Sequence, residues 1–505
     1  MENEVVHNKK VIVIGSGVGG LATAIRLAVQ GFTVSVYEKN NYPGGKLAAF
    51  EKDGFHFDAG PSLFTQPKNI EALFKLAGEP ITNYFRYTPI EIACKYFYEN
   101  GKVVNAFSNP GDFAMELKEK LGESPAAVNA YLSQSKNAYK NIGSIFLNYS
   151  LHQSKTWLHK RIFKAARATK WNYLFKSLDQ YNKAKFQTAE AVQLFNRYAT
   201  YNGSNPYKAP GMLSLIPHLE YNEGVFYPEG GMVSITNALY KLAVKKGVQF
   251  YFNSPVQKII YHEETVRGLV INNENIAANV VVSNMDVYFT YRQLLHNTTK
   301  AKQILKQERS SSALVFYWGI KKVFKELALH NIFFSNNYAA EFDCLFKKKI
   351  LYYDPTVYIN ITCKMESSMA PAGKENWFVM INVPANVGQD WLKYREQARA
   401  IIIEKLNRIL SVQCNSGIDL NTLIETEEIL DPVTIEEKTA SYQGSLYGTS
   451  SNSKLAAFLR HPNFTGSIKN LYFCGGSVHP GGGIPLCLNS AAIVSQLIHS
   501  KTKGH

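Results

Sequence analysis

The β-branched run Val11 to Ile14 opens straight into GSGVGG, residues 15 to 20, and that junction constrains the chain more than any other stretch of its 505 residues. The run favours a strand and the glycines a turn. Leu21 to Gln30, closed by Gly31, has helical spacing, and Thr33 to Tyr37 reads as a second strand. In such a βαβ unit Gly15, Gly17 and Gly20 fill the GxGxxG spacing. Gly15 permits the tight turn, Gly17 lets a pyrophosphate approach the backbone, and Gly20 lets helix and strand pack closely. The helix N-terminus supplies the field for phosphates, and Glu38, at the end of the second strand, can accept hydrogen bonds from ribose hydroxyls. An acid at that position speaks against a 2′-phosphate, which leaves NAD or FAD.

A chain of this length has room for about three domains and a sizeable core. With 46% hydrophobic and 19% charged residues, and with 30 Tyr and 29 Phe, it has a globular composition rich in aromatics. The formal charge of +15 suits an anionic partner without choosing among nucleic acid, membrane and phosphate. No nucleic-acid-binding motif accompanies the charge, so nucleic acid is disfavoured. The six cysteines form no CxxC or CxxH pair, which argues against structural zinc, a redox dithiol or a disulfide scaffold, and fits a reducing cytoplasm. Lys9 and Lys10 before an uncharged run imitate a signal peptide, but that run is too short to span a bilayer and carries four glycines.

Further along, residues 90 to 108 read as a hairpin turning at Asn100-Gly101, and residues 111 to 200 are mostly helical in spacing. A β meander covers residues 247 to 286 and runs into a strand at Val280 to Ser283. Strand signals return at Ala313 to Ile320, Val357 to Cys363 and Trp377 to Val383, followed by a helix from Trp391 to Leu410.

Three more stretches bear on the cofactor. YPGGKLAAF, residues 42 to 50, places Gly44-Gly45 and Lys46 behind the acid. FHFDAGPSLFTQP, residues 55 to 67, carries Asp58, Gly60, Pro61, Ser62 and Leu63, and Asp58 is equally readable as a simple cap. NLYFCGGSVHPGGGIPLCLNSAAIVSQLI, residues 470 to 498, reads as a strand, a glycine-rich loop and a helix with Pro485 in its first turn. These stretches, with residues 197 to 232 and VVSNMD at 281 to 286, resemble the carotenoid desaturases of the bacterial phytoene desaturase type, within the flavin amine oxidase superfamily.

That resemblance implies FAD and an α/β fold: a discontinuous Rossmann-like FAD-binding domain (1–83, 227–290, 433–505), a mixed-sheet substrate domain (84–110, 291–432) and a helical cap (111–226). It implies cofactor contacts from Gly15, Gly17, Gly20, Glu38, Gly45, Lys46, Gly60, Pro61, Ser62, Leu63, Val256, Asn284, Leu446, Gly475, Gly483, Ile484 and Pro485. Lys46 departs from the arginine usual in the family and could not reproduce a bidentate phosphate contact. Ser477, Val478 and Gly482 depart from the common phytoene desaturase loop and resemble the branch that desaturates 1-hydroxycarotenoids at the 3,4 position.

The reaction implied removes two hydrogens from a C–C unit of a carotenoid, hydride passing to the flavin and a proton leaving the resulting allylic cation. Oxygen or a quinone is the implied final acceptor, and no side chain identifies itself as the base or as any other catalytic residue. No second GxGxxG supports a nicotinamide cofactor. Phytoene desaturation, carotene isomerisation and non-enzymatic prenyl-lipid carriage are the alternatives. A polyene substrate resides in the bilayer, and the Lys- and Arg-rich stretch 153 to 178, with Lys160, Lys164 and Arg167 on one face, reads either as a membrane-surface helix or as a solvated cap helix. The expected location is therefore cytoplasmic, against the membrane, and the aromatics of residues 84 to 226 suit either a substrate tunnel or a core.

Overall fold

Along the first strand, Lys10–Ile14, successive side chains enter two different cores. Val11 and Val13 pack with Leu21, Ile25, Leu239 and Val494, whereas Ile12 and Ile14 pack with Ile259, Leu269 and Phe473. A strand covered on both faces needs an unbroken apolar run, which the sequence supplies here. The computed structural model describes residues 9–157, 175–453 and 460–502. In it this strand is the centre of a parallel five-stranded sheet ordered Gln249–Tyr251, Thr33–Tyr37, Lys10–Ile14, Val280–Ser283, Leu471–Phe473. Helices Val18–Val29, Val233–Lys245 and Ile484–Thr502 cover one face. The antiparallel strands Val256–His262, Thr265–Ile271 and Glu274–Ala277 contribute to the other. The first helix starts three residues before the predicted Leu21, because Gly19 and Gly20 fit inside its first turn.

The second sheet has seven strands, ordered Ile424–Leu430, Ser312–Ile320, Glu375–Val383, Val357–Ile361, His330–Phe333, Ile92–Phe97, Val103–Phe107. All neighbours are antiparallel except His330–Phe333 with Ile92–Phe97, so the sheet is mixed. The predicted hairpin at 90 to 108 supplies its last two strands. One face carries Phe316, Trp318, Trp377 and Ile381 against Ile402, Leu406 and Leu410 of the long helix Trp391–Gln413. The opposite face carries Ala313, Val315, Tyr317 and Phe378. The helices Pro110–Leu121, Pro125–Ala138 and Ala189–Asn196 pack onto the hairpin end through Phe113, Tyr131 and Phe195, against Tyr96 and Val104. No helix among the described residues is long and apolar enough to cross a membrane.

Candidate functional site

A cavity of about 1360 Å³ runs between the two sheets, lined by the glycine turns on one side and by the open face of the seven-stranded sheet on the other. Ligand sites commonly occupy about 300–1,000 Å³, so this one has room for a dinucleotide and a long second molecule together.

Its first half is built from backbone. Gly15, at φ +90°, donates its N–H to the Tyr37 carbonyl at 2.8 Å, which ties the turn to the second strand. Glu38 is buried beneath the turn; one carboxylate oxygen accepts from the Ser16 N–H and hydroxyl, both at 2.8 Å, and the other from Asn40 N–H at 2.9 Å. Three donors fix the carboxylate, and its remaining lone pairs are available to ribose hydroxyls. Gly44 bridges to Gly17 and donates to the Ser16 carbonyl at 2.9 Å, so the glycine pair 44-45 lies against the first turn. Asn284 enters the same place: it donates from its backbone to Ile14 O at 2.8 Å and from its amide to Cys474 O at 3.2 Å. A Cβ on Gly17 would lie 2.7 Å from the Asn284 Oδ1, and one on Gly475 would lie 2.5 Å from its Nδ2. These glycines are therefore required by Asn284 as well as by any ligand.

Opposite stand Gly483, at φ +106° with open space where a Cβ would be, and the start of the helix Ile484–Thr502. The unpaired first-turn N–H groups of a helix favour electron-rich partners, although Pro485 itself has no N–H to offer. Lys46 donates to the carbonyls of Ser445 and Leu446 at 3.1 and 2.9 Å. Desolvation pulls its pKa down to about 8, against an opposing pull from Asp286. The buried acid, the close-approach glycines, the lysine and the helix start all meet one elongated space, and this donor set fits FAD.

The predicted site residues can now be placed. Gly15, Gly17, Glu38, Gly45, Lys46, Gly60, Pro61, Ser62, Leu63, Val256, Asn284, Leu446, Gly475, Gly483, Ile484 and Pro485 all line the cavity. Gly20 does not: a Cβ there would meet Gly15 O at 2.2 Å, so it serves the helix–strand approach expected of it. Asp58 accepts from the N–H groups of Met232 and Val233 at 2.9 and 3.3 Å, which makes it the cap of the helix Val233–Lys245. Ser477 accepts from Val287 N–H, Val478 is buried in a core, and Gly482 is crowded by the Tyr447 backbone. Ser477 and Gly482 also line the cavity, whereas Val478 is a core contact.

The second half of the cavity was not read from the sequence. Val315, Tyr317, Phe378, Met380 and Ile332 give it an apolar floor. Tyr358, His330, Arg197 and Glu220 add polar groups. Arg197 Nη2 donates to both oxygens of Glu220 at 3.1 Å, and its guanidinium lies 4.6 to 5.4 Å from the ring centres of Tyr96, Tyr198 and Tyr201. Of the described aromatics between residues 84 and 226, Tyr201 alone lines the cavity; Tyr96, Phe113, Tyr131 and Phe195 stack into a core instead. The basic-face residues Lys160, Lys164 and Arg167 lie outside the described residues.

The profile of the flavin containing amine oxidoreductase family matches residues 18–354. The chain is 50% identical to a 1-hydroxycarotenoid 3,4-desaturase of Flavobacterium sp. (strain P99-3), over 97% of this chain and 99% of the relative. It is 34% identical to a 4,4′-diapolycopene oxygenase of Methylomonas sp., over 97% of this chain and 98% of the relative. Among solved structures, an oxidoreductase from Methanosarcina mazei superposes with a TM-score of 0.62 at 15% identity, covering 97% of this chain and 100% of that one, which speaks to fold alone. The chain belongs to the flavin containing amine oxidoreductase family, on its carotenoid desaturase branch.

Proposed function

We propose that this protein is an FAD-dependent desaturase that introduces the 3,4 double bond into a 1-hydroxylated carotenoid. The observation that carries the reading is the single cavity joining the glycine cradle to the apolar sheet face, in a chain half identical along its length to a desaturase of that substrate class. Bound FAD would supply the two-electron acceptor for the C–H bond that breaks.

The protein's own contribution is binding, alignment and exclusion of water. Val315, Phe378 and Met380 give the hydrocarbon a dry surface, and burial of apolar area there stabilises the complex by about 25 cal/mol per Å². Fixing a rigid polyene beside its acceptor converts a bimolecular encounter into an aligned one. Glu220, the carboxylate deepest in this half, is engaged by Arg197 and by the Tyr198 hydroxyl, so its charge is committed to that pair.

The test is incubation of the flavin-loaded protein with a 1-hydroxylated acyclic carotenoid and, separately, with phytoene. The expected product is the hydroxycarotenoid less two hydrogens, with a longer chromophore. Addition of an oxygen atom would instead favour the activity named for the Methylomonas relative, and conversion of phytoene alone would move the chain to the other desaturase branch.

Approach of the substrate from a membrane surface, and reoxidation by oxygen or a quinone, are parts of the same proposal. The membrane approach is supported by the substrate's hydrophobicity, the charge of +15 and the basic stretch 153 to 178. Flotation with anionic vesicles that falls away in high salt is the expected result. Equal flotation with neutral vesicles would remove the electrostatic part of the idea.

A further inference from the structure

His330 is almost completely buried, 2% exposed, and lines the cavity on a four-residue strand of the seven-stranded sheet. Its Nδ1 lies 2.8 Å from the Tyr358 hydroxyl and 3.1 Å from the Asn360 amide nitrogen. That amide nitrogen also donates to the Leu329 carbonyl at 3.1 Å. A carbonyl can only accept, so the orientation of the Asn360 amide is set, and its second N–H makes Nδ1 an acceptor. The ring proton of the neutral imidazole must then sit on Nε2. Burial, with the nearby Arg197 charge adding to it, lowers the His330 pKa to about 3 and keeps the ring neutral. The Nε2 of His330 is buried and has no hydrogen-bond partner. A desolvated donor without an acceptor is unfavourable, so a small shift of the cavity lining that let an oxygen reach this N–H would be favoured.

Its position agrees with the chemistry of the substrate class. In a 1-hydroxycarotenoid the hydroxyl carbon and the 3,4 bond are separated by only two carbon–carbon bonds. A residue that reads the hydroxyl must therefore sit close to where that bond is oxidised. His330 is two hydrogen bonds from the cofactor-side loop: Tyr358 spans from it to Ser62, whose hydroxyl is 2.8 Å from the tyrosine oxygen. Ser62 lines the same cavity between Pro61 and Leu63. Arg197 is less suited, since its Nη2 already serves Glu220 and its guanidinium is packed among three rings.

We infer that His330 Nε2–H is the donor that holds the 1-hydroxyl oxygen of the substrate and so selects hydroxylated carotenoids over hydrocarbons; this rests on the 3,4-desaturase reading above. Tyr358 and Asn360 are positioning residues that fix the imidazole from the opposite side.

The experiment compares kcat/KM for a 1-hydroxylated acyclic carotenoid with that for the same carotenoid lacking the hydroxyl, in wild type, H330F and H330Q, each checked for flavin absorbance. Wild type should prefer the hydroxylated substrate by about tenfold or more. H330F should bring the ratio close to one, and H330Q, which retains a side-chain N–H, should recover part of it. In wild type labelled with 15N-histidine, one Nε2–H resonance absent from H330Q should shift with the hydroxylated carotenoid and not with the hydrocarbon. This measurement decides the matter even if H330F does not fold. Wild type that acts on neither substrate would defeat the 3,4-desaturase reading itself. Wild type that prefers the hydroxylated substrate, with H330F keeping the same preference or the resonance unmoved, would overturn the role of His330 alone.

Discussion

Asn284 explains why several glycines cluster where they do. Its side chain occupies the space into which a Cβ from Gly17 or Gly475 would project. Substituting alanine for Gly17 should drive the two side chains together and empty the protein of flavin, read as the ratio of absorbance at 450 to 280 nm. Combining G17A with N284A should restore part of that absorbance if the clash is the cause. Gly475, at φ +100°, adds backbone strain to the same clash, so G475A should be rescued less.

Lys46 yields a pH prediction. Its free-protein pKa is lowered to about 8, and an anionic ligand binds the protonated form better. FAD affinity of the apoprotein should accordingly fall as pH rises through 8, by up to about tenfold per unit. K46M should bind more weakly at pH 7 and lose that slope. The motif glycines, Glu38 and Lys46 were legible in sequence because each stands in a fixed spacing tied to a backbone requirement. His330, Tyr358 and Asn360 were not, because no spacing unites them. Sheet register does so, with His330 opposite Asn360 and Ile332 opposite Tyr358.

At the level of elements, legibility followed apolar pattern. Ser312–Ile320, Glu375–Val383 and Val357–Ile361 contain long β-branched or aromatic runs and were found close to their true bounds. His330–Phe333 is too short to show a period, and Ile424–Leu430 reads IETEEIL, an acid-rich edge strand. Its Glu425, Glu427 and Glu428 pair with Lys374, Arg399 and Lys52, and charge on an edge discourages pairing with another chain.

The helix Val233–Lys245 depends on Asp58 at its start, and loss of an N-terminal cap costs about 0.5–2 kcal/mol. D58A should lower stability by about that amount in urea. Burial raises the Asp58 pKa to about 6, more than its two backbone hydrogen bonds lower it. A raised carboxyl pKa favours the folded state fully below its ordinary value of 3.8, and that contribution is lost as pH climbs through 6. D58N, with a single acceptor oxygen, should keep one of the two hydrogen bonds and remove this slope between pH 4 and 6.

For the whole molecule, the α/β architecture and its discontinuous cofactor sheet were readable because motifs occur near both termini. The path of the cavity was not, since it depends on which face of the second sheet turns toward the glycine loops. Aromatic content misdirects on this point: the aromatics of the cap build a core, while the cavity floor comes from strands far away in sequence.

The order in which the parallel sheet is assembled has a consequence in time. Leu471–Phe473 is its last strand, and the helix aimed at the cavity begins only at Ile484. A ribosome that has reached Lys469 has produced the GxGxxG turn, yet the Val280–Ser283 strand still lacks its outer partner. A chain ended there should be insoluble and carry no flavin, which pelleting and the absorbance spectrum would report. Flavin loading is thus expected only after the closing segment, the Leu471–Phe473 strand and the helix from Ile484, has emerged.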